Sequence, residues 1–188
     1  MNSGTSFEER ILEAADKLFN AHGVHAVGMD RIRDLSGVSL KRLYACFPSK
    51  GALVEAYLYR RDGWSRGVLS SFVARYEGPE EQLLAVFDWL YEWFCTSDFR
   101  GCVFINAFGE LGGDSESVAK AVRHHKGAMR KFLLDLAREA QLPHPERMAE
   151  QMLMLIDGAT CVAAVNDSPE PAVHARSAAE DLIRAARG

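Results

Sequence analysis

From Met29 to Lys50 the chain reads MDRIRDLSGVSLKRLYACFPSK. Met29, Ile32 and Leu35 recur at the three-residue spacing that lines one face of a helix. Gly37 follows, a residue free to take the positive φ that a sharp corner between helices needs. Ser39 is a good N-cap for the next helix, because its hydroxyl accepts from backbone N–H groups that a first turn leaves unpaired. That helix, Leu40 to Phe47, carries Lys41 and Arg42 side by side and ends at Pro48, which cannot continue it. A helix, a glycine turn and a short basic helix make a helix-turn-helix. Such a unit sets its second helix into the major groove of DNA.

Upstream, Ser6-Phe7-Glu8-Glu9 reads as a capping box that opens a first helix. Its apolar stripe is Ile11, Ala14, Ala15, Leu18 and Phe19, and Gly23 is the expected stop. Downstream, a fourth helix runs from Ser49 through Leu53, Tyr57 and Trp64 to about Tyr76, with Gly78-Pro79 as the breaker. Helical periodicity then continues to the end. Expected helices are Glu81 to Thr96, Cys102 to Leu111, a long one capped by Ser115 and broken at Pro143-His144-Pro145, Met148 to Val165, and Glu170 to Ala186. No repeat or strand-like alternation interrupts them. The expected class is all-α with about nine helices.

Composition narrows the function. A chain of 188 residues forms one or two domains and buries roughly two thirds of its unfolded surface, so it needs neither disulfides nor metal to fold. The start, MNSGTSFEER, lacks the basic and apolar regions of a signal peptide. The best apolar runs are broken by Asp88, Glu92 and Asp157, so no membrane span is expected. Cys46, Cys95, Cys102 and Cys161 fall in no paired-ligand spacing, which suits reduced thiols in a cytoplasm. Net charge is −4, but residues 1–50 hold seven basic against six acidic residues, and the remainder fifteen against twenty. From Leu40 to Lys50 every charge is positive. The local patch, not the whole-chain sum, is what meets phosphate.

Gly37-Val38-Ser39, Leu43-Tyr44, Phe47, Ser49-Lys50 and Leu53 resemble the N-terminal signature of TetR-family transcriptional repressors. The match extends upstream through Ile11, Ala14, Ala15, Leu18, Phe19 and Gly23 to Ile32, and Arg100-Gly101-Cys102 with Asn106 resembles the start of the family's sixth helix. The resemblance implies a three-helix DNA-binding domain over 1–50, a helix over 49–76 as connector, and a helical ligand-binding and dimerisation domain over 51–188. The DNA-contacting candidates are Arg33, Ser39, Leu40, Lys41, Arg42, Tyr44 and Lys50. Arg42 suits guanine, whose O6 and N7 accept two parallel hydrogen bonds; Lys41 or Arg42 could instead lie on phosphates. Leu40 either touches a thymine methyl or is simply exposed. Tyr44 matches the family position whose phenol bonds a phosphate, and Lys50 opens helix four, where its ammonium and the helix N-terminus would both face a phosphate. The chain departs from the family at Val27-Gly28, which offers no capping hydroxyl, and at Arg33, which either compensates at a phosphate or is solvated.

Helices four to eight enclose the effector cavity in the family, so the resemblance makes Trp64, Trp89, Trp93, Phe104, Phe108, His125, Met129 and Met152 candidate lining residues. Small residues in the last two helices resemble the family's dimerisation bundle, with Met154, Gly158, Val162, Val165, Ala178 and Leu182 as candidates. The expected partners are a palindromic double-stranded operator, a small apolar effector and a second copy of the chain. No cofactor is called for, and no enzymatic motif appears: His124 and His125 are adjacent, about 100° apart on a helix. The alternatives are a thiol-based redox regulator, which would use Cys46, Cys95 or Cys102, and a non-specific DNA-binding helical protein.

Overall fold

The computed structural model describes residues 6–188; the start of the MNSGTSFEER reading, residues 1–5, lies outside the described residues. Among these residues nine helices follow one another: α1 (Phe7–His22), α2 (Met29–Ser36), α3 (Leu40–Cys46), α4 (Lys50–Val73), α5 (Pro79–Phe94), α6 (Val103–Leu111), α7 (Glu116–Glu139), α8 (Pro145–Asn166) and α9 (Glu170–Arg187). No strand occurs among them. The class is all-α, with an N-terminal helix-turn-helix. Packing divides the chain into two compact units, Met1–Asp62 with Val103–His125, and Gly63–Cys102 with Lys126–Gly188. A boundary at residue 50 does not anticipate that α6 and the start of α7 group with the N-terminal helices, because that grouping joins segments far apart in the chain.

The first unit is built on local signals. Ser6 Oγ accepts from the Glu9 N–H at 3.1 Å, and Gly23, at φ 78°, closes α1 by donating its N–H to Phe19 O at 2.9 Å. Ile11 and Ala15 of α1, Val27, Ile32 of α2, Leu43 of α3 and Leu53, Val54 and Leu58 of α4 are fully buried. Each large aliphatic among them contributes about 1.5–3 kcal/mol by leaving water. Phe19 packs edge-on to Tyr57, with centroids 5.2 Å apart. The corner after α2 is made as the sequence requires: Gly37 is left-handed, φ 63° and ψ 24°, and Arg10 donates to Ser36 O at 2.7 Å. The expected stripe fails at one place. Leu35 is 52% exposed while Ser36 is buried, its hydroxyl donating to Arg33 O. From Ile32 both i+3 and i+4 flank the inner face, and here the small i+4 side chain is the one turned inward.

The second unit packs α5, α8 and α9 against one another. Leu83, Phe87 and Leu90 of α5, Leu133 of α7 and Met152 of α8 are buried, and Ala159, Ala163, Ala175 and Ala179 are buried on α8 and α9, where small side chains permit close helix approach. Several helix ends differ from expectation by one to three residues. Both α5 and α8 begin on a proline, Pro79 and Pro145, rather than after it. Proline stops a preceding helix yet fits the first turn of the next, where its missing N–H would have no partner anyway. α4 ends at Val73, three residues short of Tyr76, where the Arg75 and Tyr76 N–H groups turn back to the third residue behind. By length and composition alone α8 would pass for a membrane span, against the expectation from Asp157; its inward face is core of this unit.

Candidate nucleic-acid interface

Two buried side chains decide which way α3 faces. Leu43 is fully buried and Phe47 nearly so, which anchors the helix from below. Its other positions are therefore turned out: Leu40 is 38% exposed, Tyr44 45%, and Lys41 and Arg42 are exposed. Ser39 caps the helix as expected, with Oγ accepting from the Arg42 N–H at 3.4 Å. The Arg42 guanidinium rests 4.5 Å from the ring centroid of Phe7, the first residue of α1. That contact joins two residues that sequence reasoning treats separately. Neither charge pattern nor spacing points to it.

The other predicted DNA-contacting residues are more constrained. Gly28 precedes α2 without a side-chain cap, as its lack of a hydroxyl dictates. Arg33 pairs within its own helix, 2.9 Å from Asp30 and 2.7 Å from Asp34. The hydrogen bond to Asp34 raises its pKa above the usual guanidinium value. Neighbouring carboxylates thus hold the guanidinium. Lys50, opening α4, donates from Nζ to His25 O at 3.0 Å. Burial pushes its pKa below that of an ordinary lysine, and the Glu110 carboxylate acts in the opposite direction.

The candidate lining residues divide between the units. Phe104, Phe108 and His125 lie in the first; Trp64, Trp89, Trp93, Met129 and Met152 lie in the second. In the first unit the His125 ring stacks on Phe104, centroids 3.6 Å apart and planes 4° from parallel. Its Nδ1 lies 2.8 Å from Oδ1 of Asp62, a buried carboxylate, and His124 Nε2 lies 3.6 Å from the other oxygen. Asp62 was invisible as a site residue from periodicity alone, although it stands four residues after Leu58 on the inward face of α4. A charge on such a face is the signal that could have found it. In the second unit Trp89 stacks on Trp93 at 5.4 Å, and Phe99 meets Trp93 edge-on at 5.1 Å. Met129 and Met152 are core residues there, whereas Trp64 and Phe108 are about half exposed.

Residues 11–57 match the family model "Bacterial regulatory proteins, tetR family", and residues 79–179 match "Tetracyclin repressor-like, C-terminal domain". The chain belongs to the TetR family. It is 25% identical over 183 residues to the HTH-type transcriptional regulator YjdC of Escherichia coli, covering 95% of this chain and 94% of that one. A crystal structure of a TetR-family transcriptional regulator from Streptomyces coelicolor superposes with a TM-score of 0.88 at 27% identity, covering 97% and 96% of the two chains. A putative TetR-type regulator from Streptomyces avermitilis gives 0.76 at 26% identity, covering 93% and 98%. This TetR-family chain is thus a DNA-binding transcriptional regulator, a class whose members are typically non-enzymatic.

The candidate dimer residues of this TetR-family chain are of two kinds. On α8, Met154, Val162 and Val165 are exposed at 64%, 47% and 79%, and Gly158 lies among them with open space where a Cβ would be. Their spacing of four, four and three residues draws one apolar stripe on the outer face. On α9, Ala178 is half-buried and Leu182 packs on the core of its own unit.

Proposed function

We propose that the protein is a dimeric, sequence-specific repressor of the bacterial cytoplasm that a small, largely apolar effector releases from a palindromic operator. The observation that carries DNA reading is the outward face of α3, where Leu40, Lys41, Arg42 and Tyr44 stand exposed over the buried Leu43 and Phe47. In this reading residues 1–50 read DNA, α4 is the connector, and residues 51–188 hold the effector and the dimer interface. Arg42 reads a base, Lys41, Tyr44 and Lys50 meet phosphates, and Ser39 holds the start of the recognition helix. The outer α8 stripe of Met154, Gly158, Val162 and Val165 supports two-fold pairing, since an exposed apolar row with a close-approach glycine gains by being covered. The effector must bind the DNA-incompetent state better than the DNA-competent one, and DNA then weakens effector binding by the same factor.

The test is selection from random duplex DNA by the purified protein, followed by fluorescence anisotropy on the enriched sequence across a salt series. An enriched palindrome bound with a steep salt slope is the expected result. Weak binding with no sequence preference would sink the repressor reading and favour non-specific association. A peroxide-induced loss of operator binding that thiol reverses would move the reading to a redox regulator acting through Cys46, Cys95 or Cys102.

A further inference from the structure

The turn that joins α1 to α2 is gripped by both backbone groups of a single residue. Glu110, in the last turn of α6, accepts from the His25 N–H through Oε2 at 2.5 Å. Lys50, at the start of α4, donates from Nζ to the His25 carbonyl at 3.0 Å. Gly23 leaves room for the carboxylate: a Cβ placed on it would lie 2.7 Å from Glu110 Oε1, and its φ of 78° already disfavours a side chain. Partners 85 and 25 positions away in sequence thus converge on one exposed turn. The packing of α6 with the N-terminal helices is an independent sign that this contact belongs to the DNA-binding part.

We propose that Glu110 is a positioning residue for DNA binding: from α6 it fixes the α1–α2 turn, and through that turn the Lys50 ammonium that meets a backbone phosphate. The role rests on the reading of Lys50 as a phosphate contact. An ammonium carries three donors, so the bond to His25 leaves two for phosphate oxygens. With Glu110 gone, the His25 N–H turns to water, the turn loses its anchor, and Lys50 loses the carboxylate that helps keep it charged. Simple electrostatics argues the other way, because an acidic group near DNA repels phosphate and its removal should tighten binding. The sign of the effect therefore separates positioning from plain charge.

The experiment compares wild type, Glu110→Ala, Glu110→Gln, Lys50→Ala and the Glu110→Ala/Lys50→Ala pair by anisotropy on the selected operator across salt. Glu110→Ala should weaken binding roughly tenfold, the scale of one charge-assisted hydrogen bond, and lower the log–log salt slope by about one. Glu110→Gln keeps an acceptor for His25 and should restore affinity to within about twofold, which a loss of charge alone would not. In the Lys50→Ala background Glu110→Ala should add nothing. Amide exchange of His25 gives a readout without DNA: slow in wild type and Glu110→Gln, fast in Glu110→Ala. Glu110→Ala binding as tightly as wild type, or tighter, overturns the proposal, as do losses that simply add. If Glu110→Ala is unstable by thermal melting, Glu110→Gln decides, since loss of affinity there with a protected His25 amide also overturns it. A wild-type protein that binds no duplex refutes the DNA reading before any variant is compared, and a harmless Lys50→Ala refutes its phosphate role; the positioning role falls with either.

Discussion

The contact between Phe7 and Arg42 allows a sharp test of base reading. A guanidinium bound to guanine O6 and N7 discriminates against other bases by about 1–3 kcal/mol, or roughly 5- to 150-fold. Arg42→Ala should lose that margin at one position of each half-site and leave the rest of the preference intact. The Phe7 ring holds the guanidinium by a cation–π contact at 4.5 Å, worth about 0.5–1 kcal/mol where both groups are exposed. If that stack pre-orders Arg42, Phe7→Ala should cost discrimination at the same position by about two- to fivefold. Because Phe7 is uncharged, the salt slope should stay put. The assay is competitive anisotropy with the operator and with duplexes altered at each position, for both single variants and the pair. In the Arg42→Ala background Phe7→Ala should do nothing further, which is the mark of a coupled pair. Additive losses, or tighter binding by Phe7→Ala, would refute pre-ordering. An Arg42→Ala protein that keeps full discrimination would refute base reading itself.

Leu43→Ala should destabilise the protein by about 2–5 kcal/mol, since it empties a fully buried position under α3, and chemical denaturation would measure it; a loss under 1 kcal/mol would mean α3 is not anchored there. Burial lowers the Lys50 pKa, so its ammonium, the phosphate-binding form, is lost at lower pH than in an ordinary lysine. Operator affinity should accordingly decline on the alkaline side. Lys50→Arg, which stays charged, should flatten that decline, and identical profiles would exclude Lys50 as the titrating group. Val165→Asp, in the exposed apolar row of α8, should shift the protein to monomer in sedimentation and abolish tight operator binding, whereas an unchanged dimer would place the interface elsewhere.

Much of the fold is legible in the chain because its determinants are local. Ser6 and Ser39 cap helices, Gly37 turns the corner between two of them, and Gly23 closes α1, each through partners three or four residues away. These signals bracket α2 between Met29 and the Gly37 corner and place α3 to within one residue, and the residue identities around them carry the family. The helix starts at Pro79 and Pro145 were harder, because a proline stops one helix and opens another by the same covalent fact, and the chain alone does not say which role a given residue takes. Choosing Ser36 over Leu35 for burial likewise depended on what α2 packs against.

The sequence by itself determined an all-helical chain with a basic third helix, since capping, periodicity and charge along a helix act over one or two turns, and its residue identities at fixed spacing carried the TetR-family resemblance. Only the tertiary structure decided which side chains work together. Arg42 lies over Phe7, His125 meets Asp62 across 63 residues, and Glu110 reaches His25 across 85. Each pairing depends on how helices distant in the chain pack, and packing follows from the summed burial of many apolar residues rather than from any local pattern.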